Sequence, residues 1–463
     1  MIDSASEHTY RAIRQDIIHG KLAPRVRLRL DSLRETYGAS VSTLREILNR
    51  LTGEGLVAAE GQKGFSVTPV SQQEFENLAE LRELFEAHAL RQAFQKGDLE
   101  WEGRVVGAHH MLSVMEQRMS KGETQDATLW KNHDKRFHHA LISACGSEEL
   151  LNAHSAVFDR YLRYQIIAVI FRGAPAAAEH LALRDAALSR DADLAAQVLH
   201  QHIAACVAHT AEGGKLESSL PEFVDDADTT EETVAGSIWR IVRRDILNGT
   251  LAPMQKLKLD GLRDRYAASV STLREVLNRL ATEGLVLAEG QRGFEVAPIS
   301  PANLRELAEL RLLIEGQALQ DSFARGDVEW EAHVMAAYHR LARSEERMRQ
   351  GDRSVVPEWK RFDWEFHQAL ISACGSRVLR QFHGANFDKY LRYQMIALSF
   401  RGDVASGEHR ALLDAAMSRD AGAARDTLRK HLMGGVEHAL ASGTIGNGSV
   451  CALRPSEPLG QRS

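Results

Sequence analysis

Several things are scarce in this sequence. There are four cysteines among 463 residues, and they do not form a disulfide framework. Cys145 and Cys374 lie inside apolar helical patterns, as buried thiols do, while Cys206 and Cys451 have no matching cysteine elsewhere. That usage excludes a small stapled scaffold and fits a reducing compartment. No apolar run approaches the ~20 residues of a membrane helix. The first residues, Met1-Ile-Asp-Ser-Ala-Ser-Glu7, have neither the basic nor the apolar region of a secretory signal. A cytoplasmic location without membrane contact is expected. Positive charge is also short overall: the formal net charge is −6.

What is present is one protein written twice. Residue n matches residue n + 229 from near the N-terminus to about residue 440, with no insertion or deletion. Val41-Ser-Thr-Leu-Arg-Glu-Ile-Leu-Asn-Arg-Leu-Thr52 returns as Val270–Ala281 with 10 of 12 residues identical, and Phe137–Ser147 returns as Phe366–Ser376 with 10 of 11. The period is far too long for a solenoid. At 44% hydrophobic and 26% charged residues, each copy can bury a core of its own. One such chain can supply the two-fold arrangement that other proteins reach by dimerising.

The charge is segregated. Residues 8–68 carry ten Lys/Arg against six Asp/Glu, and residues 237–297 carry ten against seven, which leaves −13 for the rest. Local basic charge at the start of each copy points to a nucleic-acid partner despite the acidic total.

Within copy one, Tyr10–His19 and Asp31–Tyr37 are expected to form short helices and Ser42–Gly53 a third. Leu56–Ala59 and Phe65–Thr68 are expected strands around the turn Glu60–Gly64. Ser40 or Ser42 can cap the third helix, and Thr43-x-x-Glu46 has the form of a capping box. Leu44, Ile47, Leu48 and Leu51 share one face of that helix. Ser42, Arg45, Asn49 and Thr52 share the other, where hydroxyls, a guanidinium and an amide suit phosphates and base edges. Two short helices before it and a hairpin after it make a helix-turn-helix with a wing. From residue 70 the apolar spacing is helical throughout, with about six helices near 71–95, 101–120, 127–145, 148–172, 176–190 and 193–211.

The later helices carry a second constellation, Asp134-x-x-x-His138, His180 and His202. It is repeated as Asp363, His367, His409 and His431. Asp and His four apart share a helix face, and two further imidazoles give a donor set for one divalent ion, Zn²⁺, Ni²⁺ or Mn²⁺. His110 and His154 also recur, as His339 and His383, but no motif surrounds them. A metal-dependent hydrolase using this site is the alternative function; two winged helices would then go unexplained, so no enzyme is expected.

These residues resemble a known family. Ile17-Ile-His-Gly-Lys-Leu-Ala-Pro24, Gly38-Ala-Ser-Val-Ser-Thr-Leu-Arg-Glu-Ile-Leu-Asn-Arg-Leu51, Glu54-Gly-Leu-Val57 and Gly64-Phe-Ser-Val67 are similar to the winged helix of GntR-type bacterial regulators. Asp134-Lys-Arg-Phe-His138-x-x-Leu141, Arg172, Glu179-His180, Arg190-Asp191, Ala195 and His202 resemble the FCD sensor domain of the FadR branch. The resemblance implies a mainly α fold, with two copies of a winged helix-turn-helix each followed by an all-helical bundle. It places domains at 6–69, 70–212, 235–298 and 299–442; by composition the acidic stretch 213–234 reads as a linker and the Gly- and Pro-bearing 443–463 as a disordered tail. It implies DNA contacts by Ser40, Ser42, Thr43, Arg45 and Asn49 with the wing tip Gly61, Gln62 and Lys63. The copy-two set is Ser269, Ser271, Thr272, Arg274, Asn278, Gly290, Gln291 and Arg292. It implies one metal per FCD-like domain on the four positions above, beneath a cavity for a small organic acid. Arg82, Arg163 and Arg172, with Arg311, Arg392 and Arg401, are candidates for the acid's carboxylate.

The expected protein is therefore a DNA-binding transcriptional regulator, in particular a repressor, that acts as a covalent pseudo-dimer. Identical reading heads call for a double-stranded operator with two similar half-sites, and further homodimerisation is open to it. Asn132 and Lys135 in copy one become Arg361 and Trp364 in copy two, so the two cavity linings are expected to differ there.

Overall fold

The computed structural model describes residues 5–59, 64–123, 127–168, 171–213, 216, 234–288, 293–397 and 400–446. Both wing tips, nearly all of the linker and most of the tail lie outside the described residues. The main division of the chain falls between Thr233 and Val234 and gives two compact units.

In the first unit the order is α1 (Ala5–Ile18), α2 (Leu30–Tyr37), α3 (Val41–Gly53), β1 (Val57–Ala59) and β2 (Phe65–Val67). Then come α4 (Gln72–Lys96), α5 (Leu99–Ser120), α6 (Ala127–Ile142), α7 (Glu148–Ile167), α8 (Ala174–Ser189) and α9 (Ala192–Gly213). The second unit repeats it with α10 (Val234–Leu247), β3 (Lys256–Leu257), α11 (Leu259–Tyr266), α12 (Val270–Thr282), β4 (Val286–Ala288) and β5 (Phe294–Val296). Its bundle is α13 (Pro301–Arg325), α14 (Val328–Arg349), α15 (Val356–Ile371), α16 (Arg377–Ile396), α17 (Asp403–Met417) and α18 (Ala421–Ala441). The fold is mainly α, as expected.

In each winged helix the apolar stripe of the third helix makes the core. Leu44, Ile47, Leu48 and Leu51 pack with Ile13 and Ile17 of α1, and Leu273, Val276, Leu277 and Leu280 pack with Val242 and Ile246 of α10. Helix α3 begins one turn earlier than a Thr43–Glu46 capping box requires. Ser40 is the N-cap, accepting from the Thr43 N–H at 3.2 Å. Thr43 is thus already inside the helix, and its partner in the cap is Ser40. A third strand was also missed: β3 pairs with β5 through Leu257↔Phe294, and a single bridge Arg27↔Ser66 stands in its place in copy one. A two-residue strand has no period to read.

The winged helix of copy one does not stand free of its bundle. Phe158 and Leu162 of α7 belong to its buried core. Arg163 Nη1 donates to Thr68 Oγ1 at 2.7 Å and Nη2 to Thr68 O at 2.5 Å, just past β2. A row of ion pairs continues the contact. Lys135 of α6 pairs with Asp159 of α7, Asp159 accepts from Arg14 of α1 at 2.8 Å, and Arg14 donates to Glu54, which ends α3, at 2.7 Å. In copy two Asp388 pairs with Arg243, and Arg243 with Glu283, but Trp364 stands where the lysine was and packs on His383 and Phe387.

Candidate metal centre and nucleic-acid interface

Helices α6, α8 and α9 bring Asp134, His138, His180 and His202 together. One ligand atom from each lies within 4.8 Å of every other, and all four residues are buried. Asp363, His367, His409 and His431 do the same from α15, α17 and α18.

Each imidazole is held by a carboxylate behind it. The Nδ1–H groups of His138, His180 and His202 donate to Glu86 at 2.5 Å, Glu116 at 2.6 Å and Glu179 at 2.7 Å. In copy two Glu315, Glu345 and Glu408 take these places. A donating Nδ1 leaves the Nε2 lone pair facing the centre of the cluster. The three Nε2 atoms and Asp134 Oδ1 are buried without a hydrogen-bond partner. His180 Nε2 and Asp134 Oδ1 are 3.2 Å apart, close enough to share a proton when no ion lies between them. Four converging acceptors, three of them oriented from behind by carboxylates, are the arrangement in which metal-binding imidazoles are held. The residues present therefore fit a divalent ion.

Electrostatics separates the three rings. Burial pushes His202 and His431 down to about 3, so they are neutral ligands at any physiological pH. Burial also opposes charge on His180 and His409, but the two carboxylates beside each outweigh it and raise the pKa to about 9. Without an ion, these two rings hold the proton that an ion would displace.

Glu86 and Glu116 were not found in the sequence, nor was the role of His154, whose Nε2 lies 3.2 Å from Glu86 Oε2. A signal existed. All three recur at the same spacing as Glu315, Glu345 and His383, at helix phases otherwise occupied by core residues.

The six candidate arginines divide into three kinds. Arg82 and Arg311 are fully buried, give Nε–H to Glu86 and Glu315 at 3.0 and 2.8 Å, and leave both terminal nitrogens without partners. Arg172 and Arg401 are committed to Glu179 and Glu408 and to the carbonyls of His202 and His431. Arg163 and Arg392 reach the Thr68 and Ala297 carbonyls beside the winged helices.

The expected difference between the two cavity linings is misplaced. Asn132 and Lys135 lie, with Gln15, Arg104, Arg136, His139, Ala140 and Ser143, along a cleft of about 490 Å³ outside the cluster. At 100° per residue, Lys135 is a quarter-turn round from Asp134 and cannot share its face.

On the recognition helices, Ser40, Ser42 and Arg45 are exposed and Thr43 and Asn49 half-buried. Ser40 Oγ lies 2.8 Å from Ser42 Oγ and 2.9 Å from Thr43 Oγ1. Ser269, Ser271 and Thr272 repeat this network at 2.8 and 2.8 Å, with Arg274 exposed and Asn278 half-buried. Neither Arg45 nor Arg274 has an acidic partner among the described residues, so both guanidiniums are open to a ligand.

Comparison with known proteins agrees with both modules. The model of "Bacterial regulatory proteins, gntR family" matches residues 5–67 and 235–296. The FCD domain model matches residues 77–205 and 306–434, more than half of the chain. The chain belongs to the GntR family of transcriptional regulators. Among the relatives of this GntR regulator is the HTH-type regulator BphR of Paraburkholderia xenovorans, 37% identical over 46% of this chain and 89% of its own. The HTH-type transcriptional repressor GlaR of Escherichia coli is 34% identical over 42% of this chain and 90% of its own. Each nearly complete relative covers less than half of this regulator, so one copy corresponds to one relative. The solved structure of E. coli McbR/YncC covers 46% of the chain at 16% identity, with a TM-score of 0.39. No helix of the described residues is long and apolar enough to cross a membrane.

Proposed function

We propose that this GntR regulator binds an operator of two similar half-sites as a covalent pseudo-dimer, and that a small organic acid bound beside each metal centre controls its affinity for DNA. The reading rests on one observation above the others: both the exposed recognition-helix face and the buried Asp/His cluster are present twice with the same partners. Asp134, His138, His180 and His202 would hold one divalent ion, and Asp363, His367, His409 and His431 another. Zn²⁺, Ni²⁺ and Mn²⁺ all suit three imidazoles and a carboxylate. A bound ion would supply a Lewis-acid anchor for an oxygen of the effector. Arg82 and Arg311 would receive its carboxylate, since two parallel N–H donors match two carboxylate oxygens.

The protein's own residues favour binding over hydrolysis. Glu86, Glu116 and Glu179 are each engaged with a ring N–H, so their role is to orient the ligands rather than to take a proton from water. Signal transfer would use the contacts between bundle and winged helix. A ligand acts only by favouring one arrangement of the heads over another, and the Lys135–Asp159–Arg14–Glu54 row joins the metal-bearing helix to the end of the recognition helix. GlaR, a relative of one-copy length, is named a repressor, and repression is the role proposed here.

The test is a footprint of the purified chain on DNA upstream of its own and neighbouring genes. Two protected, similar half-sites are expected. Absence of protection at low salt, where basic surfaces bind best, would refute the reading.

A further inference from the structure

The copies differ at several positions beside the two metal clusters, Phe75 against Leu304 and His109 against Tyr338 among them, and one of these exchanges removes a side chain altogether. Cys206, one turn after His202 on α9, corresponds to Gly435, one turn after His431 on α18. Both face an α7 or α16 tyrosine and glutamine, Tyr161 and Gln165 or Tyr390 and Gln394, all buried. The guanidinium carbon of Arg82 lies 4.7 Å from the centre of the Tyr161 ring, and that of Arg311 lies 5.3 Å from the Tyr390 ring.

In copy two this group closes on itself. The Tyr390 hydroxyl donates to Leu432 O at 3.2 Å, and Lys360 Nζ donates to Gln394 Oε1 at 2.7 Å. A Cβ at Gly435 would stand 2.7 Å from the Tyr390 oxygen. The tyrosine can lie against α18 only because position 435 has no side chain. Copy one has a side chain there. The Tyr161 hydroxyl makes no such bond and lies against the Cys206 thiol instead. Gln165 gives its amide N–H to Cys206 Sγ at 3.6 Å, and its Oε1 has no partner. Lys131 lies 3.4 Å from Asp134, and Lys360, which also reaches the glutamine, lies 3.8 Å from Asp363.

Copy one thus presents two kinds of unpartnered polar group among these buried residues: two guanidinium nitrogens of Arg82 and the amide oxygen of Gln165. The guanidinium calls for a carboxylate. The amide oxygen accepts only, so it calls for a donor on the ligand. In copy two only the Arg311 nitrogens remain from that set. We propose that these groups in copy one take a small hydroxycarboxylate beside the metal cluster, that copy two takes the same ligand at least about tenfold more weakly, and that the residue at 206 or 435 contributes to the difference. The inference rests on the effector reading above and makes its two sites unequal.

The experiment uses the full chain loaded with cobalt(II), whose visible spectrum reports changes at the metal, and glycolate as the probe. His367→Ala/His409→Ala leaves only the copy-one cluster, and His138→Ala/His180→Ala leaves only the copy-two cluster. Each variant is expected to take one cobalt. Glycolate should shift the spectrum of the first saturably and that of the second only at ~10-fold higher concentration or not at all. Cys206→Gly in the first variant should weaken the response about tenfold, and Gly435→Cys in the second should strengthen it, with cobalt content unchanged in both. Equal responses from the two clusters, no response from either, or responses unmoved by the exchange at 206 and 435 would each overturn the inference. Failure of both variants to take cobalt is a different result: it would overturn the metal-centre reading, and this inference with it.

Discussion

Replacing Glu116 by Gln tests whether the cluster is a metal centre without touching a ligand. Glu116 accepts from His180 Nδ1 at 2.6 Å, and both groups are buried. Loss of such a carboxylate behind a metal-bound imidazole typically costs 10–100-fold in metal affinity. Glutamine still offers an oxygen to the ring N–H, so only the charge is lost and the lower end applies: about tenfold, or about 1.4 kcal/mol. A second effect runs the other way. Burial holds the His180 pKa down, but Asp134 and Glu116 outweigh it and raise it to about 9. At pH 7 an entering ion must therefore displace a proton. Glutamine weakens that proton too, so the two effects partly cancel at pH 7 and the full factor appears near pH 9. The assay is competition for zinc against a chelator of known affinity at both pH values, with Glu345→Gln as the matching change in copy two. Each variant should lose one of two zinc ions more readily at pH 9. Release curves identical to the wild type at pH 9, with both proteins folded by circular dichroism, would refute the assignment of His180 Nε2 as a ligand.

Arg45→Ala should cost about 1–3 kcal/mol in binding to a two-half-site operator, and Arg45→Ala with Arg274→Ala should reduce binding to the non-specific level; gel-shift titration measures both, and full affinity in the double variant would show that the recognition helices are wrongly chosen. Because the His180 and His409 pKa values are raised to about 9 from about 6.5 in the unfolded chain, their contribution to the metal-free fold is complete below about pH 6.5 and lost as pH rises through 9. The melting temperature of the metal-free protein should fall across that window while zinc affinity rises, and a flat melting temperature would contradict the cited shifts. Lys135→Met should cost about 0.5–1 kcal/mol, the worth of a partly exposed ion pair, and speed amide hydrogen exchange in α1 but not in α10; unchanged exchange in α1 would mean that the ion-pair row carries no coupling.

Much of the fold was legible because strong periodicities occurred twice. The buried stripe Leu44–Leu51 and its return at Leu273–Leu280, with only Ile47 changed to Val276, made the recognition helices legible, and the four-residue step from Asp134 to His138 placed two cluster members on one face. The errors arose where local chemistry had more than one solution. Ser40, Ser42 and Thr43 can all cap a helix, and only the backbone shows that Ser40 does. Glu86 and Glu116 carry no motif because their partners, His138 and His180, come from helices 52 and 64 positions away. The difference between the sensors was sought next to Asp134 in sequence, at Lys135, when helix geometry puts Lys131 on that face and Lys135 a quarter-turn round it. An exchange that does lie beside the cluster, Cys206 for Gly435, is a change of one small residue packed against a tyrosine.

The ion-pair row in copy one and its interruption by Trp364 in copy two give this chain a direction. A regulator made of two identical subunits looks the same after half a rotation, so it reads an inverted site without a front or a back. Here the reading faces match while the couplings behind them do not. If the chain reads a perfect palindrome as the proposed pseudo-dimer, it would sit there in two orientations of nearly equal affinity that place different copies toward the promoter. A small asymmetry in the operator would be enough to choose between them, and the same protein could then respond differently at two promoters that differ only in which half-site lies upstream.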